Sequence, residues 1–578
     1  MQLTVSYINQ ILVLLVFASS LNLLLGYSGV FNAASAAFGA IGGYSLVWLT
    51  SQHGFSYLPA MLFGVALAGV FGMLVGYAAL RLEMLWLLLL TLAVQLVLVG
   101  VLTGLTTFGG SSGLQADGLN LFGHEFIEPT QVFPLVAVAA VVVFALCYRM
   151  GESPYGRILR AIRDDEVATR SLGKNTFFYK LSVFTITATI AGFGGALMST
   201  HTSLASPQVF GFNVSIQLIA IVMIGGMGNM LGTLIGVALV VLSTPFFENV
   251  IDLSTTVASL SQQLAYGVAL VVVIFFRPQG IIPEGITLGA LGRRRGSARA
   301  ALPPLPAAQR VLAVAHRAPE PGRAESELVV QVRDVSKSFG GIHAVNGLTM
   351  DLRRGLITAL VGPNGAGKTT VFNLLTGALA LDAGRVSLYG QDITGLRPDV
   401  ITTLGMARSF QDVRVFPSLT VLENVMLGVQ DLPGDRLGNV LAHPRRTAVA
   451  ERAAREQAYE WLRFIEMEDV AGARGRSLGF GQQKLVALAR ILATDADVLL
   501  LDEPGSGIDH VWIDKMIGVI QQLREAGRTV CIVEHNLEVV GRLADHVYFM
   551  ELGRVTAEGT FADLTNDPRL TEAYFGSV

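Results

Sequence analysis

The nine residues from Gly362 to Thr370 are the stretch whose residue types and spacing most directly predict chemistry. They match the phosphate-binding pattern G-x-x-x-x-G-K-[ST] at full spacing, after a strand-like apolar run. Glycines let backbone N–H groups curl around a polyphosphate, Lys368 can reach the β- and γ-phosphates, and the Thr369 hydroxyl can ligate Mg²⁺. The sequence therefore predicts an ATP site with Mg²⁺. The residues expected to bind the nucleotide here are Gly362, Pro363, Asn364, Gly365, Ala366, Gly367, Lys368, Thr369 and Thr370.

Further chemistry is predicted at the ends of two later apolar runs. The first run ends in Asp502 and Glu503. Beside a phosphate loop, Asp502 is placed to hold Mg²⁺ through water and Glu503 to polarise an attacking water. The second run, residues 529–535, ends in His535, which could contact the γ-phosphate. Upstream of the loop, Phe339 could stack on an adenine ring or could be an ordinary core residue.

The two halves of the chain differ in composition. Of the 578 residues, too many for one domain, 15% are charged, and the mean hydropathy is +0.54. The first Lys or Arg is Arg81 and the next is Arg149, whereas charges occur throughout the part after about residue 290. This distribution predicts a membrane half followed by a soluble half. A net charge of −3 gives no indication of nucleic-acid binding, and two cysteines, Cys147 and Cys531, cannot build a disulfide framework or a metal site.

Apolar runs in the membrane half predict about eight or nine spans or part-spans. They lie at about 8–26, 30–50, 57–80, 84–106, 131–148, 181–203, 214–226, 229–245 and 259–276. The N-terminus lacks a basic segment and a clear cleavage site, so a first span is expected there and not a removable signal peptide. The short runs 214–226 and 229–245 could be full spans or broken half-helices. Four polar residues within spans could line a pathway or form interhelical hydrogen bonds: Asn22, Asn32, Gln95 and Gln217.

Positive charge predicts the orientation of the chain. The loop 149–180 holds seven Lys or Arg residues, and the loop 107–130 holds none. By the positive-inside rule, the basic loop and the C-terminal half face the cytoplasm. The amphipathic part of this loop, residues 153–173, is either a helix held by anionic membrane lipid or a coupling helix that docks on the ATPase. The predicted domains are a permease domain at 1–277, a flexible linker at 278–327, and an ATP-binding domain at 328–578.

Together these features resemble an ABC transporter of the branched-chain amino-acid uptake family. Across residues 328–578 the resemblance to a LivG-type ATPase rests on the order Phe339, Gly362–Thr370, Gln411, Leu478–Gln483, Asp502, Glu503 and His535. A LivM-type permease is resembled at Leu23–Gly29, Tyr155–Glu166, Ile224–Gly228 and Arg277–Gly280. The implied fold is an all-α polytopic membrane domain fused to an α/β P-loop ATPase domain with a helical subdomain. This resemblance favours the coupling-helix interpretation of residues 153–173.

The resemblance also implies site roles. Glu503, His535 and Gln411 would be catalytic, and Thr369, Gln411 and Asp502 would hold Mg²⁺. Two ATPase domains would sandwich ATP head to tail, with each phosphate loop facing the partner's signature motif. The residues of this motif are Leu478, Gly479, Phe480, Gly481 and Gln482. Gly479 stands where the family usually has Ser, so a hydroxyl contact to the γ-phosphate is absent. Asp509 fits the position that communicates across the dimer.

A permease and an ATPase on one chain make half of a transporter. The resemblance implies a second permease and a second ATPase, LivH-like and LivF-like, or a second copy of this chain, together with an extracytoplasmic binding protein. The expected function is ATP-driven import of branched-chain or other hydrophobic amino acids across the bacterial cytoplasmic membrane, with the ATPase on the cytoplasmic side. Urea, short amides or carboxylates are the alternative substrates. An exporter or a membrane-anchored ATPase without transport fits less well, since the cytoplasmic loops are short and the spans are many.

Overall fold

The structure, a computed structural model, describes residues 2–116, 120–121, 124–125, 128–251, 254–277, 279–286 and 327–570. The chain divides into two compact units. One comprises Met1–Arg163 and Phe177–Ala300, and the other comprises Asp164–Thr176 and Ala301–Val578. Most of the predicted linker 278–327 lies outside the described residues.

The part of the chain before residue 277 is helical. In chain order its helices are α1 (Gln2–Leu21), α2 (Ser35–His53), α3 (Tyr57–Ala79), α4 (Met84–Gly104), α5 (Pro129–Gly151), α6 (Pro154–Asp164), α7 (Glu166–Arg170), α8 (Thr176–Thr202), α9 (Phe212–Gly225), α10 (Met230–Asn249) and α11 (Thr255–Phe276). Two antiparallel pairs of short strands join them, β1 (Leu114–Gln115) with β4 (Leu204–Ala205) and β2 (Asn120–Leu121) with β3 (His124–Glu125).

Each of the nine predicted apolar runs coincides with one helix. Six described helical stretches are long and apolar enough to cross a membrane, namely Thr4–Tyr27, Tyr57–Ala79, Met84–Gly104, Pro129–Gly151, Thr176–Thr202 and Met230–Glu248. The apolar stretches Phe212–Gly225 and Leu260–Phe276 are shorter. The predicted polytopic helical fold is therefore confirmed.

Glycines bring α2 and α8 together at backbone distance. A Cβ atom on Gly42 would lie 1.9 Å from the carbonyl oxygen of Gly192, and one on Gly195 would lie 1.8 Å from the carbonyl oxygen of Gly39. No side chain fits at these points without moving a helix. In a membrane, where apolar burial does not drive helix association, such close packing is a main source of stability.

Asn22 joins helices through its side-chain amide. It lies in a π-helical turn, Asn22–Tyr27, that continues α1. Its Nδ2 donates to the carbonyl oxygen of Asn229 over 3.0 Å and to Thr233 Oγ1 over 2.6 Å, and its Oδ1 accepts from the Gly228 N–H over 2.9 Å. The amide therefore ties the end of α1 to the start of α10, as the interhelical alternative predicts.

Gln95 on α4 also links separate parts of the helical unit. Its Nε2 donates to the carbonyl oxygen of Phe210 over 2.9 Å, and its Oε1 accepts from the Ala37 N–H over 2.7 Å. By contrast, Asn32 acts locally, since its Oδ1 accepts from the Ala34 N–H over 2.9 Å. Gln217, which is half-buried, makes no side-chain hydrogen bond to a described residue.

The second unit contains two sheets. Its strands are β5 (Leu328–Phe339), β6 (Ile342–Arg353), β7 (Ile357–Val361), β8 (Ala383–Leu388), β9 (Gln391–Asp392), β10 (Met406–Arg408), β11 (Val498–Asp502), β12 (Thr529–Val533), β13 (His546–Glu551) and β14 (Arg554–Gly559). One sheet has the order β10-β11-β12-β7-β13-β14, in which only the β13–β14 pair is antiparallel. The other is antiparallel, with the order β6-β5-β8-β9.

Helices cover and extend these sheets. They are α12 (Lys368–Leu375), α13 (Pro398–Thr403), α14 (Val421–Met426), α15 (Leu437–Ala442), α16 (Pro444–Phe464), α17 (Phe480–Leu492), α18 (His510–Glu525), α19 (Leu537–Leu543), α20 (Phe561–Thr565) and α21 (Pro568–Leu570). Strands β7, β11 and β12 are buried along their whole length, as their mainly apolar sequences predict. Because β7, β10, β11 and β12 run parallel, the residues that follow them meet at one edge of the sheet.

Replacement of Asn22 by Leu is expected to destabilise the helical unit. The variant loses three hydrogen bonds and leaves the Gly228 N–H without this acceptor, which costs about 1–3 kcal/mol for a buried group. Thermal unfolding in detergent, followed by tryptophan fluorescence, should show a lower midpoint. Gln217→Leu is the matched control and should leave the midpoint within a degree or two. Equal midpoints for both variants would contradict the structural role of Asn22.

Candidate nucleotide site

The phosphate loop connects the buried strand β7 to helix α12. Three of its glycines have left-handed backbone angles, with φ of +150° at Gly362, +83° at Gly365 and +101° at Gly367. A Cβ on Gly362 would lie 2.0 Å from the carbonyl oxygen of Met550, and one on Gly367 would lie 2.2 Å from that of Ala344. Glycine is therefore required both by conformation and by space, so the loop can present its N–H groups to a phosphate chain.

Lys368 lies within the curve of this loop. Its Nζ donates to the carbonyl oxygens of Gly362 over 2.7 Å and Pro363 over 2.8 Å. Burial lowers the pKa of the Lys368 ammonium, and the nearby carboxylates of Glu503 and Asp502 act in the opposite direction. A buried cation held by two carbonyl oxygens can exchange them for phosphate oxygens, which are stronger partners.

The three predicted catalytic residues meet at one carboxylate. Gln411 Nε2 donates to Glu503 Oε2 over 2.9 Å, and His535 Nδ1 lies 3.5 Å from Glu503 Oε1. The Glu503 backbone has a φ of +47° and donates its N–H to the Val533 carbonyl over 2.8 Å. This left-handed turn at the end of β11 is an uncommon conformation for a residue other than glycine, and such strain is concentrated at functional sites. An amide and an imidazole thus orient a carboxylate that can act as a general base.

Asp502, the last residue of β11, is a buried carboxylate of which one oxygen accepts a hydrogen bond from a described residue and the other does not. Its Oδ2 accepts from Arg408 Nη2 over 2.7 Å, whereas its Oδ1 is buried and has no partner among the described residues. Burial raises the pKa of the Asp502 carboxyl, and Arg408 opposes this change. An unsatisfied buried oxygen can bind a cation or its water, so Asp502 fits the predicted Mg²⁺ site, for which Thr369 and Gln411 stay the other predicted ligands. A bound Mg²⁺ would neutralise phosphate charge at this edge of the sheet.

Phe339 is not a core residue. Its side chain is 48% exposed at the end of β5, and its ring centroid lies 5.8 Å from Lys337 Nζ. The sequence left two alternatives for Phe339, stacking on adenine or a place in the core, and the exposed ring argues against the core. Stacking on adenine stays a prediction.

The predicted signature motif forms the start of helix α17. The Gly479 N–H donates to Gln482 Oε1 over 3.0 Å, Leu478 is buried, and Phe480 is exposed. A Cβ on Gly481 would lie 2.6 Å from the ring of Trp512. Close packing therefore fixes the backbone of this motif.

Asp509 caps the neighbouring helix α18, where its Oδ1 accepts from the Trp512 N–H over 3.2 Å. Trp512 thus contacts both Asp509 and Gly481 of the signature motif. The structure contains one chain, so the contacts of Asp509 and of the signature motif with a second ATPase domain stay predictions.

Three charged residues at the site were not singled out by the sequence analysis. Arg408 binds Asp502, and Lys484 on α17 donates to the Glu503 carbonyl over 2.7 Å. Glu534 is buried, and its Oε1 accepts from the Gly505 N–H over 2.7 Å. Burial lowers the pKa of Lys484 and raises that of Glu534. For Arg408 and Glu534 the available signal was a charged residue at, or directly after, the end of an apolar strand, whereas Lys484 lies within a helix and had no such signal.

Residues 164–176 pack with the second unit, although they lie within the basic loop. At one end, Asp164 Oδ2 accepts from the Ser418 N–H over 2.9 Å, and Asp165 Oδ2 lies 3.1 Å from Arg414 Nη1. Arg414 is only three positions after Gln411. The segment is therefore anchored beside the loop that carries a predicted catalytic residue.

The other end of this segment is held by a buried ion pair. Lys174 Nζ donates to Asp435 Oδ2 over 2.6 Å and to the Val429 carbonyl oxygen over 3.0 Å. Between the two ends, the Ser171 carbonyl accepts from Thr402 Oγ1 over 2.9 Å. These contacts support the docking alternative for this part of the loop over binding to lipid headgroups.

Two protein families match the sequence. One, described as "Branched-chain amino acid transport system / permease component", matches residues 3–276, and the other, described as "ABC transporter", matches residues 345–506.

Curated relatives match the second half. A probable branched-chain amino acid transport ATP-binding protein LivG from Archaeoglobus fulgidus is 34% identical over 249 residues, which are 43% of this chain and 96% of that protein. The high-affinity branched-chain amino acid transport ATP-binding protein BraF from Pseudomonas aeruginosa is 34% identical over 257 residues, 44% of this chain and 100% of that protein. A solved nucleotide-free ATP-binding cassette from an ABC transporter has 30% identity over 43% of this chain and 100% of that chain, with a TM-score of 0.39.

Replacement of Glu503 by Gln is expected to separate binding from hydrolysis. The amide cannot accept a proton from water, so the rate of ATP hydrolysis should fall by about 100-fold or more, while nucleotide affinity stays within about threefold. Phosphate release and binding of a fluorescent ATP analogue measure the two effects. Glu456→Gln, at an exposed position of α16, is the control and should behave as wild type. Undiminished hydrolysis in Glu503→Gln would exclude Glu503 as the base.

Proposed function

We infer the function of this chain from its family, because the chain belongs to the ABC transporters of the branched-chain amino acid uptake family. It is a membrane protein that fuses a LivM-like permease to a LivG-like ATPase, and its ATP hydrolysis is coupled to transport. We propose that the chain imports branched-chain and other hydrophobic amino acids across the bacterial cytoplasmic membrane. The permease family and the branched-chain amino acid transport proteins among the ATPase relatives support this substrate class.

The single observation that carries the enzymatic part is the convergence of Gln411 and His535 on Glu503. We propose that the Glu503 carboxylate polarises the attacking water while Gln411 and His535 hold the carboxylate in place. The phosphate-loop N–H groups and Lys368 would bind the β- and γ-phosphates, and Phe339 would stack on the adenine ring. These side chains orient ATP and water, and positioning of this kind is the main source of catalysis in phosphoryl transfer.

Residues 164–176 are proposed to transmit the state of the nucleotide site. This segment lies in the chain between α5 and α8, two helices that are long and apolar enough to cross a membrane. Its Asp165 binds Arg414, which shares a loop with Gln411. A change at the γ-phosphate that moves Gln411 would therefore move Asp165. We propose a permease domain at 1–277, a linker at 278–327 and an ATP-binding domain at 328–578. Residues 164–176 would then belong to the permease in sequence and pack with the ATP-binding domain.

A complete transporter needs two ATPase domains. We propose that two sites form head to tail, with the signature motif of each domain, Leu478–Gln482 here, closing the phosphate loop of the other, and that Asp509 communicates between them. Gly479 offers no hydroxyl, so its share of the contact would come from backbone N–H groups at the start of α17. The partners would be a LivH-like permease and a LivF-like ATPase, or a second copy of this chain, with a binding protein outside the membrane.

The substrate proposal can be tested by the ATPase rate of the chain in lipid nanodiscs with the subunits and binding protein that copurify. Leucine, isoleucine and valine should stimulate hydrolysis, and Glu503→Gln should remove the stimulated rate. Stimulation by urea, short amides or carboxylates instead would reassign the substrate. A rate that no solute changes would contradict a coupled importer.

Loss of the Asp165–Arg414 ion pair is expected to uncouple transport from hydrolysis. Arg414→Met should lower the number of amino acids imported per ATP hydrolysed by about threefold or more, because coupling contacts are worth about 0.5–2 kcal/mol. Arg414→Lys, which keeps the charge, should recover much of the ratio. Both rates are measured in the same proteoliposomes.

The control for this variant is Arg463→Met, which removes an arginine whose side-chain partners, Glu460 and Tyr459, lie on the same helix α16. It should leave the ratio unchanged. A ratio that stays at the wild-type value in Arg414→Met would contradict coupling through this pair.

A further inference from the structure

Arg408 is a buried cation on β10, an edge strand of the six-stranded sheet. It is the last residue of β10 and lies opposite Leu500 of β11 in the parallel register. Its side chain is 4% exposed. Burial lowers the pKa of the Arg408 guanidinium, and its neighbour Asp502 opposes this. A charge in such a position is costly unless partners compensate it, so its contacts are informative.

The guanidinium group of Arg408 joins two elements that carry predicted metal ligands. Nη2 donates to Asp502 Oδ2 over 2.7 Å, and Nη1 donates to Asn373 Oδ1 over 2.5 Å. Asn373 lies on α12, the helix whose first turn contains Thr369. One planar group therefore fixes the distance between the end of β11 and the helix that follows the phosphate loop.

Aromatic rings keep the guanidinium in this position. Its Cζ lies 5.3 Å from the ring centroid of Phe410 and 5.7 Å from that of Phe372. Phe410 immediately precedes Gln411, the third predicted metal ligand. Arg408 thus contacts or adjoins every element from which a ligand is expected. Lysine could not reproduce this arrangement, because it lacks the planar pair of donors.

The carboxylate of Asp502 is bound on one side only. Its side chain is 0% exposed, Oδ2 is taken by Arg408, and Oδ1 is the oxygen without a partner among the described residues. The backbone of Asp502 is held separately, since its N–H donates to Ser409 Oγ over 2.9 Å. The carboxylate is therefore fixed in orientation while one oxygen stays available to a cation.

We propose that Arg408 is a positioning residue for the metal of the nucleotide site: it holds Asp502 by one oxygen, so that the other receives the metal or its bound water, and through Asn373 it fixes the spacing to Thr369. This inference rests on the proposed role of Asp502 in metal binding. It assigns to Arg408 a function in Mg²⁺–ATP recognition that Arg408 performs without contacting nucleotide or metal. A purely structural ion pair would stabilise the sheet and would have no separate effect on the metal.

The test compares nucleotide binding with and without metal. The full chain in nanodiscs is titrated with a fluorescent ATP analogue in EDTA, and Mn²⁺ bound in the presence of ATP is then counted by electron paramagnetic resonance. In Arg408→Met the metal-free affinity should stay within about twofold, whereas the Mn²⁺ concentration for half-occupancy should rise by about tenfold, as is typical when a group that orients a metal ligand is lost. Arg408→Lys should lie between wild type and Arg408→Met.

Two further variants separate the possible outcomes. Arg333 also pairs with an aspartate, Asp351, but on the other sheet. Arg333→Met should therefore leave Mn²⁺ binding unchanged. Asp502→Asn should weaken Mn²⁺ binding by itself; if it does not, the proposed role of Asp502 fails, and the inference about Arg408 fails with it. Normal Mn²⁺ binding in Arg408→Met, or an equal loss of metal-free ATP affinity, would overturn the role of Arg408 alone.

Stability is controlled by a double variant. Arg408→Met alone leaves a buried carboxylate without its counter-charge and is expected to lower the unfolding midpoint. Arg408→Met combined with Asp502→Asn removes both charges and should recover part of that loss. If Arg408→Met does not fold, Arg408→Lys decides the question: wild-type Mn²⁺ binding in that variant would show that the two-point contact is not needed.

Discussion

A carboxylate buried at the end of an apolar strand is tolerated only beside a positive charge, and this constraint organises the nucleotide site. Asp502 is enclosed and paired with Arg408, and Lys484 donates to the Glu503 carbonyl oxygen. Lys368 lies within electrostatic range of both Asp502 and Glu503. Because these charges are removed from water, each interaction is stronger than an exposed pair such as Arg333–Asp351. The same enclosure leaves Asp502 Oδ1 for a cation.

The loop after β10 connects this charged cluster to residues 164–176. Gln411 binds Glu503, and Arg414 binds Asp165. The loop is itself held by Arg490, whose Nη1 donates to the Arg414 carbonyl oxygen over 2.6 Å. Burial lowers the pKa of Arg490 to about 10. Because a single short loop carries both contacts, the proposed movement of Gln411 toward a nucleotide would displace residues 164–176 through the Arg414–Asp165 pair.

The features that depend on local sequence could be predicted, and those that depend on tertiary register could not. Apolar runs and the phosphate loop are local signals, and the structure has a helix or a strand–loop–helix where each was expected. The pairing of Arg408 with Asp502 joins residues 94 positions apart, which only the parallel register of β10 and β11 brings together. The docking of residues 164–176 likewise depends on packing that no sequence period encodes. Helix α2 begins at Ser35, about five residues after the start of the apolar run 30–50. Just before the helix, the Ala33 N–H donates to Thr91 Oγ1 on α4, which is a tertiary contact.

The most direct test of the account is ATP-dependent uptake of radiolabelled leucine into proteoliposomes that contain the assembled transporter and its binding protein. Vesicles with the ATPase domain inside should accumulate leucine only when ATP and Mg²⁺ are enclosed, and Lys368→Met should abolish accumulation, because its side chain cannot bind phosphate. Uptake that is independent of enclosed ATP, or ATP-driven loss of preloaded leucine, would contradict an importer powered by this site.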